Sequence, residues 1–82
     1  MRSPMPETDL ELIQAGTEWT LEVTRDGVKL YGYATDAVSA DTYKFGLKNG
    51  KLTHSSKIRD AVPQDIRDKM LMLLLKHAAA VN

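Results

Sequence analysis

The sequence contains no cysteine. Disulfide cross-links and thiolate metal sites are therefore excluded, and the framework has to be held by packing and hydrogen bonding. It also lacks a long hydrophobic run. The longest, Met70–Leu75, is far too short to span a bilayer, so no membrane partner is expected. Neither sign of charge is in excess, with 11 basic and 11 acidic side chains, which argues against a polybasic tail and an extreme steering field. The first six residues carry no apolar stretch of the kind found in a signal peptide, and the expected compartment is cytoplasmic. No repeat or low-complexity segment is present.

With 82 residues, 43% hydrophobic and 27% charged, the chain reads as one small globular domain over 1–82. A domain of this size buries only about 60% of the surface its unfolded chain exposes. Its core is thin, and a second copy of the chain is one way to complete it.

Residues 1–7 include Pro4 and Pro6 and are expected to form a loose arm. Thr8-Asp9-Leu10-Glu11 fits a capping box, with Gly16 as a stop, which favours a short helix over 9–15. Leu10 and Leu12 also alternate as in a strand, so a fifth strand is the other reading of this segment.

The next segments are clearer. Trp19, Leu21 and Val23 alternate with polar residues, Asp26-Gly27 is a hairpin signal, and Val28–Ala34 returns. A two-residue loop at Asp26-Gly27 pairs Val23 with Leu30, Leu21 with Gly32 and Trp19 with Ala34, all on one face. In that register Gly32 leaves room for the Trp19 ring. Residues 35–41 form a connector. Tyr43, Phe45 and Leu47 begin a second hairpin that turns at Asn49-Gly50, pairing Leu47 with Leu52, Phe45 with His54 and Tyr43 with Ser56.

Pro63 suits the first position of a helix, and residues 64–80 contain no Gly or Pro. Ile66, Met70, Leu73, Leu74, His77 and Val81 recur at helical spacing and are expected to cover the apolar face of the sheet. The expected fold class is α+β: a mainly antiparallel four-stranded sheet of two hairpins, packed on one face by a C-terminal helix, with a short N-terminal helix or fifth strand.

Chemistry-bearing motifs are scarce. The sequence has 2 histidines, His54 and His77, and none of the common nucleotide-binding, nucleophile-elbow or zinc-protease signatures. His54 reads as a half-buried cross-strand partner of Phe45, and His77 as a packing residue near the C-terminal end of the helix. Asp36 and Asp41 flank a loop without a calcium-binding pattern, and turn formation is their expected role. No catalytic residue, metal site or cofactor is assigned, and the chain is expected not to be an enzyme.

Charge distribution says more than net charge. Residues 1–22 hold Glu7, Asp9, Glu11, Glu18 and Glu22 against Arg2 alone, whereas Tyr43–Arg59 hold Lys44, Lys48, Lys51, Lys57 and Arg59 with no acid. The expected register puts Lys44, Lys48 and Lys51 on the outer side of the second hairpin, and Lys57 with them if that strand continues. Lys29, Tyr31 and Tyr33 occupy the outer side of the first. If the hairpins are coplanar, lysines surround two tyrosines on the uncovered face. Such a face can neutralise phosphates and stack bases, although a solvated sheet face has a similar composition.

The helix offers a competing site. Met72 and Leu75 fall outside the main apolar arc, on the side shared with Asp68 and Ala79. Apolar residues beyond the core stripe are either wrapped by the chain or used at an interface. The leading functional expectation is a protein-interaction module, a homodimer through Leu71, Met72 and Leu75 or a complex with another protein. The alternative is a nucleic-acid-binding module using Lys29, Tyr31, Tyr33, Lys44, Lys48 and Lys51.

Overall fold

Two-residue periodicity in four successive segments demands a sheet with one wet and one dry face, and the chain adopts it. The computed structural model describes residues 8–79. Five strands, β1 (Thr8–Ala15), β2 (Trp19–Asp26), β3 (Lys29–Asp36), β4 (Thr42–Lys48) and β5 (Lys51–Thr53), are followed by the helices α1 (Ser56–Ala61) and α2 (Gln64–Ala79). The strands form one antiparallel sheet in the order β1-β2-β3-β4-β5, so each pairs with its neighbour in sequence. The two hairpins are therefore coplanar. The expected arm over 1–7 and the end of the expected helix at Ala80 and Val81 lie outside the described residues.

The segment expected to prefer a helix is the edge strand β1. It pairs with β2 from Thr8↔Arg25 to Ala15↔Trp19, with an irregularity between Asp9 and Glu11 that gives Leu10 no ladder partner. Leu10 and Ile13 pack against the core and Ala15 is buried in it. A helix over 9–15 would have satisfied its own backbone but left the β2 edge bare. Pairing with β2 satisfies that edge and brings three apolar side chains to the core, which outweighs the local capping signal.

The first hairpin differs from the expected register by two residues. The loop is Gly27-Val28, closed by Asp26↔Lys29, so Val23 faces Gly32, Leu21 faces Ala34 and Trp19 faces Asp36. Gly27 has φ +67° and Val28 is not among the positive-φ residues. A turn with glycine in the first central position matches strand twist without requiring positive φ of the second, and Val28 tolerates it where it would resist the other hairpin turn. Because the slip is even, every side chain stays on its expected face. The second hairpin turns at Asn49-Gly50, both with positive φ, and pairs Leu47 with Leu52 as expected. It is shorter than expected. β5 ends at Thr53, so Ser56 opens α1 rather than pairing with Tyr43, and Lys57 belongs to a helix rather than to the sheet face.

The connector joins neighbouring strands, with Asp36 organising it. Its backbone N–H donates to Asp41 O at 2.9 Å, its carbonyl accepts from Ala40 N at 2.6 Å, and its Oδ1 accepts from Val38 N at 2.9 Å. The side-chain bond is the two-residue turn expected of an aspartate here. Asp41 instead donates its backbone N–H to Ser39 Oγ at 3.3 Å.

α2 crosses the dry face against β2, β3 and β4. Ile66, Met70 and Leu74 are buried beneath it, together with Leu21, Val23, Ala34, Phe45 and, from the α1 region, Ile58 and Val62. Full burial of a side chain such as Leu74 is worth about 1.5–3 kcal/mol. Val62 separates the helices. Its extended backbone (φ −114°, ψ 123°) is the conformation a following proline imposes, and Pro63 O then accepts from Ile66 N and Arg67 N to open α2. The space above Gly32 is filled by the Met70 side chain, not by the Trp19 ring; a Cβ at Gly32 would overlap the Met70 sulfur. Trp19 instead packs beside Tyr43, ring centroids 6.2 Å apart.

Candidate functional sites

The wet face of the sheet carries the first candidate. Parity and register place Lys29, Tyr31 and Tyr33 of β3, Lys44, Gly46 and Lys48 of β4, and Lys51 and Thr53 of β5 on it together. Tyr33 lies opposite Lys44 and Tyr31 opposite Gly46. The Lys44 ammonium sits 4.1 Å from the Tyr31 ring centroid and 5.9 Å from that of Tyr33. A cation over an aromatic face is attracted by the ring quadrupole, by about 0.5–1 kcal/mol at an exposed position. Lys48 and Lys51 face each other directly across the β4–β5 ladder. Like charges in that position repel, and an anion between them relieves the repulsion. On the β1–β2 side the same face carries Asp9 and Glu22, so its charge is graded from acidic to basic across the sheet.

Two hollows meet on the basic side. The β3–β4 ladder stops at Tyr31↔Gly46, although β3 begins at Lys29 and β4 continues to Lys48. Beyond that pair lies a cleft of about 760 Å³ that Arg25, Lys29 and Lys48 line, with Leu30, Leu47 and Ala78 on its apolar side. A second hollow of about 400 Å³ lies against Lys44 and His54. Tyr31, Gly46 and Thr53 line both. Gly46 and the cleft were missed in the sequence reading. A glycine at an outer-face position flanked by lysines was the visible signal, but an early end to a ladder leaves no mark in periodicity.

The outer side of α2 carries the second candidate. Met72 is 71% exposed and Leu75 40%, whereas their neighbour Leu74 is fully buried. Leu71 is half-buried. The three residues thus flank a shared outer side, with Asp68, Lys69 and Lys76 exposed around them.

The histidines do not converge. The His54 ring lies edge-on to Phe45, centroids 5.7 Å apart, although the ladder has already ended. Its Nδ1–H donates to Ser55 O at 2.8 Å. His77 has a polar partner that sequence spacing did not reveal. Its Nε2–H donates to Glu11 Oε1 at 2.7 Å, and Lys76 Nζ donates to the same oxygen at 3.1 Å. These bonds, His77 foremost and Lys76 second, hold the Glu11 carboxyl below the usual carboxylate range, and partial burial opposes them only in part. Among the described residues, no group of three or more His, Asp or Glu side chains is placed to hold a metal ion. Among the same residues, no helix is long and apolar enough to cross a membrane.

The chain matches no protein-family model, and comparisons with curated proteins and with solved structures likewise give no match.

Proposed function

We propose that the chain is a non-enzymatic binding module whose open sheet face takes single-stranded nucleic acid. The observation that carries this reading is the coplanarity of the hairpins, which brings Lys29, Lys44, Lys48 and Lys51 around Tyr31 on the sheet face opposite α2. The repelling Lys48–Lys51 pair supports an anionic partner, and the aromatic rings support one with stackable bases. The test is the fluorescence anisotropy of a labelled twelve-residue oligothymidylate titrated with the protein across a salt series. The logarithm of the binding constant is expected to fall by about 0.7 per neutralised phosphate for each tenfold rise in salt, so by about 2.8 if four lysines each neutralise one. Absence of binding at low salt removes this reading.

A second reading is self-association through α2, favoured by the exposure of Met72 and Leu75 on one side of a helix. Two copies packed antiparallel about an axis between these residues would set Met72 of each against Leu75 of the other, with Leu71 at the margin. Light scattering tests it. A dimer that dissociates on changing Met72 and Leu75 to Gln supports the interface, and a monomeric parent protein removes it.

A further inference from the structure

We infer that the two hollows meeting at Gly46 form one nucleobase socket, with Tyr31 as its stacking wall and lysines as its phosphate clamps. This inference rests on the sheet-face reading and assigns it a specific point of contact. A flat ring needs a gap in the side-chain layer of a sheet, and β4 supplies one. Gly46 presents no side chain between Lys44 and Lys48, and its cross-strand neighbours are Tyr31 on one side and Thr53 on the other. Thr53 Oγ1 already reaches into this notch, 2.7 Å from where a Cβ on Gly46 would stand, so a base enters only as the exposed Thr53 side chain turns aside. The notch widens on both sides into the hollows of about 760 and 400 Å³. Tyr31 lines both, so its ring borders the path a base would take between them.

The charges around the notch set the ligand class. Lys29 and Lys48 line the larger hollow and Lys44 the smaller, and among the described residues no carboxylate lines either. Two phosphates flanking one base would sit by these lysines, while the base replaces Lys44 against the Tyr31 ring. The Lys44 ammonium occupies that ring face, 4.1 Å from the centroid, and its exposed, flexible side chain has to swing toward a phosphate for a base to stack there. Thr53 Oγ provides a hydroxyl that can donate or accept, which does not select one base. The socket therefore discriminates a base from its absence more than one base from another.

The experiment compares labelled oligothymidylate with an abasic strand of the same length and charge, at one low salt concentration. About tenfold tighter binding of the base-bearing strand is expected. Tyr31→Leu is expected to abolish that difference by lowering the affinity for the base-bearing strand to that for the abasic one. Thr53→Leu, at an exposed position on the opposite wall, fills the notch and is expected to do the same, which guards against a folding defect in the first variant. Equal binding of the two strands overturns the socket and leaves the sheet-face reading standing. A difference that survives both substitutions places the base elsewhere and also overturns the socket. If neither strand binds, the sheet-face reading falls with it.

Discussion

The carboxylate of Glu11 and the imidazole of His77, 66 positions apart in sequence, are joined by a 2.7 Å hydrogen bond that ties the edge strand β1 to the last turn of α2. The His77 side chain is 17% exposed and that of Glu11 25%, so solvent competes only partly for this contact.

This bond makes stability depend on pH in a definite direction. The folded carboxyl titrates below its unfolded value, so its contribution is fully present above the unfolded pKa and disappears as pH falls through the folded one. Urea melts of the parent and of Glu11→Gln are expected to show the parent more stable at pH 7. The gap should shrink below about pH 4, where an ordinary carboxylate protonates. A gap that is constant with pH sinks the assignment.

Gly32 and Met70 form a coupled pair. A methyl group at Gly32 meets the Met70 sulfur, so Gly32→Ala is expected to cost about 1–3 kcal/mol through overpacking. Met70→Ala alone is expected to cost about 2–5 kcal/mol through the cavity it leaves. Together the two should cost less than their sum, and denaturant midpoints for the four proteins of the cycle measure the difference. Strict additivity would show that the contact is relieved elsewhere.

Adjacent leucines on α2 should respond very differently. Leu74 is fully buried and Leu75 is 40% exposed. Leu74→Ala is expected to lose about 2–5 kcal/mol and Leu75→Ala less than about 1 kcal/mol in the monomer. Thermal melts at low protein concentration make the comparison, and similar losses would mean that α2 is rotated from its described position.

Thr24 is 2% exposed, and its hydroxyl has no hydrogen-bond partner among the described residues. Leaving a hydroxyl unsatisfied costs about 1–3 kcal/mol. The nearly isosteric Thr24→Val keeps the β-branched shape that suits a strand and is expected to raise stability by about 1 kcal/mol. A loss of stability in urea would mean that the hydroxyl is satisfied after all.

On the sheet face, Lys48→Gln is expected to weaken oligonucleotide binding by a similar factor for every sequence and to reduce the salt slope by about one phosphate equivalent. A change confined to one sequence would assign Lys48 to base contact instead. Anisotropy titrations on two unrelated strands separate these outcomes.

In β2, β3 and β4 the sequence by itself determined which apolar side chains face the core. Alternation sets parity, parity survives an even slip in register, and so Leu21, Val23, Ala34 and Phe45 are buried where the pattern put them. It also determined the turn at Asn49-Gly50 and the start of α2 after Pro63, because those residues restrict the backbone locally. Tertiary structure decided what local chemistry left balanced. β1 became a strand because the β2 edge offered hydrogen bonds and a core to cover. The first hairpin closed at Gly27-Val28, a choice between two loops that keep the same faces. The meeting of Lys44 with Tyr31, the notch at Gly46 and the Glu11–His77 bond depend on strands and helix arriving side by side, and no periodicity along the chain records which distant residues will meet.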